Sequence, residues 1–112
     1  MAIMQAVTLN VAKRDIAPIV WTVEDDTDRI LIAKIEDLAL TSGMTATMYG
    51  KTAVTGEIVT ATGTIDAAEN TVTVELDDLI TETGTALAQI KITDGGEIIS
   101  TFAFFVDVQK TV

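Results

Sequence analysis

Apolar and polar residues alternate with a period of two in several stretches of the chain. Val7, Leu9 and Val11 alternate with Thr8, Asn10 and Ala12, and Val72, Val74 and Leu76 with Thr71, Thr73 and Glu75. Ile90 and Ile92 alternate with Gln89, Lys91 and Thr93. Successive side chains of a strand point to opposite faces, so each run predicts a strand with one buried face. Threonine, the commonest residue, travels with Val and Ile, whose branched side chains suit a pleated sheet.

Turn signals separate these runs at fairly even spacing: "EDDTD", "TSG", "YGK", "DAAEN", "TETG" and "TDGGE". Short strands spaced this way predict an all-β, antiparallel sandwich or barrel. The sharpest signal is Asp94-Gly95-Gly96-Glu97, because a Gly-Gly pair supplies positive φ without a steric penalty; strands 86–93 and 97–108 should pair directly. Pro18 lies inside the apolar run 16–23 and cannot donate to a ladder, so that piece is an edge strand or begins after the proline. One short helical turn is expected near residues 77–83, where Asp77 or Asp78 would cap a turn carrying Leu79 and Ile80. The 112 residues form one expected domain, residues 1–5 being a candidate extended arm. A chain of this size buries about 65% of its unfolded surface and needs no staples.

Composition then removes chemistry. There is no cysteine and no histidine, which takes away disulfides, thiolate metal sites, cysteine nucleophiles and the usual general base near neutral pH. Seventeen acids against 7 bases give a formal charge of −10, a field that repels phosphate backbones and anionic membrane surfaces. Neither nucleic acid nor a membrane is therefore an expected partner. The N-terminal residues lack a basic start and an apolar run of signal-peptide length, so a soluble, cytoplasmically assembled chain is expected.

The densest ionisable cluster is "VEDDTDRI", residues 23–30. A calcium loop needs six to eight oxygens, a glycine at its bend and a bidentate glutamate at fixed spacing, and this stretch has neither of the last two. It is expected to be the polar turn of a hairpin between strands ending near Val23 and starting at Ile30, with no metal. The glycines form no phosphate loop, the lysines and arginines form no basic stripe, and no N-glycosylation acceptor occurs, Asn70 being followed at the third position by Val72. Trp21 in "IVWTV" is expected to pack in the core, with a sugar platform at Trp21 or Tyr49 as the sharper alternative. No catalytic residue, cofactor or metal is expected, and the chain is not expected to be an enzyme.

An ordered series of segments resembles a family. "VTLNV", then "IVWTVEDDTDRILIAKI", then "LALTSGMTATMYGK", then "AENTVTVELDDLITETGTALAQIKI" and "TDGGEIISTFAFFVDV" are similar to the N-terminal immunoglobulin-like domain of phage baseplate upper proteins and related virion proteins. The resemblance covers most of residues 6–108, and "LTSGMTATMYGK" and the "GTALAQIKITDGG" hairpin carry most of it. It departs at Ser42, which turns Leu-Thr-Gly into Leu-Thr-Ser-Gly. The resemblance implies an immunoglobulin-like β-sandwich that docks on a larger capsid or tail/baseplate assembly. It also implies other virion structural proteins as partners, a homo-oligomer or symmetric array, and a place in the virion. The candidate interface residues are Phe102, Phe104 and Phe105 in the C-terminal hairpin, and Met1 and Ile3 at the N-terminus; the plain alternative is that both segments are interior strands. A carbohydrate- or host-surface-binding module, using Trp21, Tyr49 and calcium at the acidic turn, is the alternative function.

Overall fold

In a computed structural model of the chain, residues 3–11, 17–23, 28–52, 54–77 and 83–110 are described. Nine strands occur among them: β1 (Ile3–Leu9), β2 (Ile19–Val23), β3 (Arg29–Ile35), β4 (Thr45–Lys51), β5 (Ile58–Asp66), β6 (Thr71–Glu75), β7 (Gly84–Asp94), β8 (Glu97–Ser100) and β9 (Phe104–Gln109). They form one sheet in the order β1-β3-β6-β5-β4-β7-β9-β2, with β8 beside the far half of β7. The protein is all-β, as the alternation predicts.

The expected antiparallel sandwich gives way to a mixed sheet curled nearly into a barrel. β1 runs parallel to β3, and β2 runs parallel to β9, while the other pairs are antiparallel. The expected hairpin between Val23 and Ile30 is not there: β2 pairs with β9, and β3 pairs with β1 and β6. Residues 24–27 themselves lie outside the described residues, as do 78–82, where most of the expected helical turn falls. Of the candidate arm 1–5, Ile3–Gln5 run within β1. β2 begins just after Pro18, whose carbonyl accepts the Phe105 amide at 3.0 Å and so extends the ladder that its missing N–H cannot.

The inward positions follow the period of two. Leu31, Ala33 and Ile35, then Val72 and Val74, then Ile90 and Ile92, then Phe104, Val106 and Val108 fill the interior, with Met48 and Leu76 among the fully buried side chains. Where walls come close the inner residue is small: a Cβ on Gly63 would lie 2.5 Å from Val72 Cγ1. Beside Met48, Ala88 and Val106 the space left is about 10 Å³, room for no more than one water.

The Gly95-Gly96 hairpin forms as predicted, with Gly95 at φ 62°, but its return strand breaks. Lys91 faces Ser100 and Ala88 faces Phe104, so Gln89 and Ile90 stand opposite the three residues 101–103. This is a β-bulge. The Thr101 hydroxyl accepts the Ile90 amide at 3.1 Å, the Thr101 amide returns to the Ile90 carbonyl at 2.9 Å, and Gln89 Nε2 donates to the Thr101 carbonyl at 2.8 Å. The bulge also reaches across the seam, because the Phe102 amide donates to the Asn10 carbonyl at 2.9 Å just past the end of β1.

Candidate docking surface

Period-two alternation sends every second residue of β2, β9, β7, β4 and β5 to the outside, and register lines those residues up. Ile19 faces Phe105, Phe105 faces Leu87, Leu87 faces Lys51, and Lys51 faces Ile58, one row across five strands. Along β2 and β9 the next row is Trp21 beside Asp107, which Thr85 Oγ1 approaches at 3.3 Å from β7. Ile19, Trp21, Leu87 and Ile58 are 49%, 57%, 45% and 59% exposed, large apolar side chains facing water on β2, β7 and β5, with the half-buried Phe105 between Ile19 and Leu87 and Lys51 between Leu87 and Ile58. Isolated exposed apolar residues are ordinary, but a contiguous row is the usual mark of a contact surface. β2 is the last strand in the sheet order, so this surface ends at the seam.

The structure separates the sequence-predicted candidates. Phe104 is fully buried, while its neighbour Phe105 is half-buried on the outer row and Phe102, in the bulge, is partly exposed. Met1 lies outside the described residues; Ile3 opens β1 opposite Arg29. Trp21 is not in the core as its apolar run suggested: Val20 and Thr22 take the inward positions and turn it out. Tyr49 is also on the outer face, with Lys91 Nζ 4.4 Å from its ring centre. Trp21 and Tyr49 are three strands apart and offset by four residues along them, about 20 Å in all, too far to sandwich one sugar ring. Around Tyr49 the small Ala103 of the bulge leaves a dimple of about 170 Å³, walled by Lys51, Ile58, Leu87 and Gln89. The row Ile19–Phe105–Leu87 escapes sequence reasoning because β2 and β9 are distant in the chain and pair in parallel.

The acidic turn yields a structural role at its edge. Arg29, although charged, is 4% exposed; its Nε donates to Asp77 Oδ1 at 3.0 Å and its Nη1 to Thr22 Oγ1 at 3.2 Å, tying β3 to β2 across the seam. Asp77 Oδ2 accepts the Asp28 amide at 2.9 Å, where Asp28 turns with φ 58°. Burial raises the Asp77 pKa, but hydrogen bonds from the Arg29 side chain and from the Asp28 and Arg29 amides, with the Arg29 charge, together outweigh it and hold the carboxyl below its ordinary 3.8. No group of three or more metal-ligating side chains occurs among the described residues.

No protein-family model and no curated protein matches the chain. Among solved structures, the chain is similar to the N-terminal domain of ORF48 of phage TP901-1, at a TM-score of 0.72 and 19% identity, over 96% of this chain and 98% of that one. The two share a fold.

Proposed function

We propose that the chain is a non-enzymatic structural component of a phage virion, docking through the outer face of β2 and β9 onto another virion protein of a capsid, tail or baseplate. The observation that carries this reading is the fold shared, over nearly the whole length of both chains, with a domain of a phage protein. The segment order that resembles baseplate upper proteins points the same way and favours the tail end. The exposed row of Ile19, Trp21 and the flank of Phe105 supplies an apolar contact of the kind that anchors interfaces, and aromatic anchors dominate their energetics. The absent histidine and cysteine and a charge of −10 agree with a role without catalysis, cofactor or nucleic-acid contact.

The test is incorporation. Phage carrying Trp21→Ser with Ile19→Ser should assemble particles depleted of this chain by immunoblot, while the purified variant keeps the wild-type melting transition. Wild-type chain absent from purified particles, or variant chain retained at the wild-type level, sinks the reading. The exposed Trp21 also admits the glycan-binding alternative, which requires glycan-array signal lost in the same variant.

A further inference from the structure

We propose that the Tyr49–Leu87 dimple takes an extended segment of a neighbouring virion protein, with one apolar side chain in the dimple and a carboxylate on either side of it. The inference rests on the docking role proposed above and names the chemistry of the partner. Register joins the two places. Leu87, on the rim of the dimple, faces Phe105, which faces Ile19 on β2, so a protein lying on that row reaches the dimple without a break.

Local charge selects the partner. The chain carries −10, yet the outward positions of β4 and β7, the odd numbers from 45 to 51 and from 85 to 93, hold Lys51 and Lys91 and no acid. Lys51 lines the dimple, and Lys91 Nζ stands 4.4 Å from the centre of the Tyr49 ring, which also lines it. The acids that flank this face are Glu57, just before Ile58, and Asp107, two residues along from Phe105; among the described residues neither lysine is ion-paired. Two such ammonium groups on one face of an acidic chain are the complement of an acidic partner and hold off a basic one. At about 170 Å³ the dimple falls below the roughly 300–1,000 Å³ of small-molecule pockets and suits a single side chain, an apolar one against Leu87, Ile58 and Ala103. Spacing then sets the order. Lys51 faces Leu87 and Lys91 stands four residues further along β7, so their Cα atoms are about 14 Å apart with Tyr49 and Gln89 halfway. Residues i, i+2 and i+4 of an extended segment share one face over the same span, so acidic, apolar and acidic side chains in that order meet Lys51, the dimple and Lys91. A phosphate polymer brings repeated charge without an apolar side chain, and the remaining acids of the chain repel it.

Carbodiimide treatment of purified phage particles tests this directly, because it joins a lysine amine to a carboxylate in contact with it. Peptide mapping should find Lys51 and Lys91 each linked to an Asp or Glu of another virion protein, the two acids four residues apart with an apolar residue between them. Lys51→Glu with Lys91→Glu should lower incorporation of the chain into particles at least about tenfold, since like charges then meet across the contact. Lys34→Glu, exposed on β3 and three strands away from β4, should leave incorporation at the wild-type level. All these variants, purified, should keep the wild-type melting transition. No cross-link at either lysine, links only to a second copy of this chain, or unchanged incorporation of the Lys51→Glu, Lys91→Glu chain would each overturn the proposal. Unchanged incorporation with lost adsorption to host cells would assign the dimple to a host-surface polyanion instead. Particles that hold the chain without these effects sink this inference alone, whereas particles that lack the chain sink the virion role itself.

Discussion

Asn70 sits at φ 58° in the turn between β5 and β6, a left-handed conformation that costs most side chains more than asparagine, and it uses both ends of its carboxamide. Nδ2 donates to the carbonyls of Ile35 and Leu38 (the latter at 2.8 Å), and Oδ1 accepts the Leu40 amide at 2.7 Å, so one side chain pins the loop that leaves β3. Asn70→Ala should therefore cost about 3 kcal/mol in urea unfolding, from lost hydrogen bonds plus backbone strain. Asn70→Gly should cost about 1 kcal/mol less, since only the strain is relieved. Equal losses in the two variants would remove the backbone part of the account. Nothing in a single sequence marks this residue, because its partners lie 30 or more positions away. The same is true of Arg29, one more scattered base in the sequence and a buried link between strands in the fold. Phe104 and Phe105 show the opposite case: alternation alone puts one inside and one outside, once the strand is known to be single-faced.

Elements were legible where alternation was clean. β1, β6 and β7 stand where Val7–Leu9, Val72–Val74 and Ile90–Ile92 predict them, and the Gly-Gly turn joins β7 to β8. β5 was not legible, since its inner residues Val59, Ala61, Gly63 and Ile65 include two too small to register as apolar signals. The bulge at 101–103 was hidden because its defining interaction is a hydroxyl standing in for a backbone carbonyl. Thr101→Val keeps the shape and deletes that acceptor, leaving the buried Ile90 amide unpaired, so it should destabilise by about 1–3 kcal/mol, and Thr101→Ser should recover most of the loss. Gly63→Ala forces its Cβ against Val72 and should cost about 1–3 kcal/mol, with Val72→Ala in the same chain costing less than the two separate losses combined. Just past β6, Asp77 binds the start of β3 and is held deprotonated below its ordinary pKa, so its contribution is fully present above pH 3.8 and is lost as pH falls through the lower folded value. Asp77→Asn should flatten the acid limb of the stability profile in that window, whereas an unchanged limb would assign acid unfolding to other carboxylates.

For the whole molecule, the way the sheet closes could not be read from the sequence, because closure depends on pairing strands far apart in the chain and in parallel. Ile19 meets Phe105, and β3 pairs in parallel with β1, with β2 between them in the chain. β1 and β2 end the sheet order side by side, yet no ladder joins them among the described residues. The seam is instead stitched at its two ends, by the Phe102 amide on the Asn10 carbonyl and by Arg29 on Thr22. A strand with one hydrogen-bonded neighbour opens at lower free energy than one with two, since fewer ladder bonds and less buried surface are given up. Native-state hydrogen exchange should therefore rank amides of β4 and central β7, each flanked on both sides, as the most protected, opening only with global unfolding. Amides of β2 should exchange through a smaller, sub-global opening. Arg29→Met removes one stitch while keeping an apolar stem in the buried position, and should lower protection in β2 more than in β4. Equal protection of β2 and β4 in the native chain would mean that the seam is closed by a continuous ladder, a fully sealed barrel in place of the stitched one.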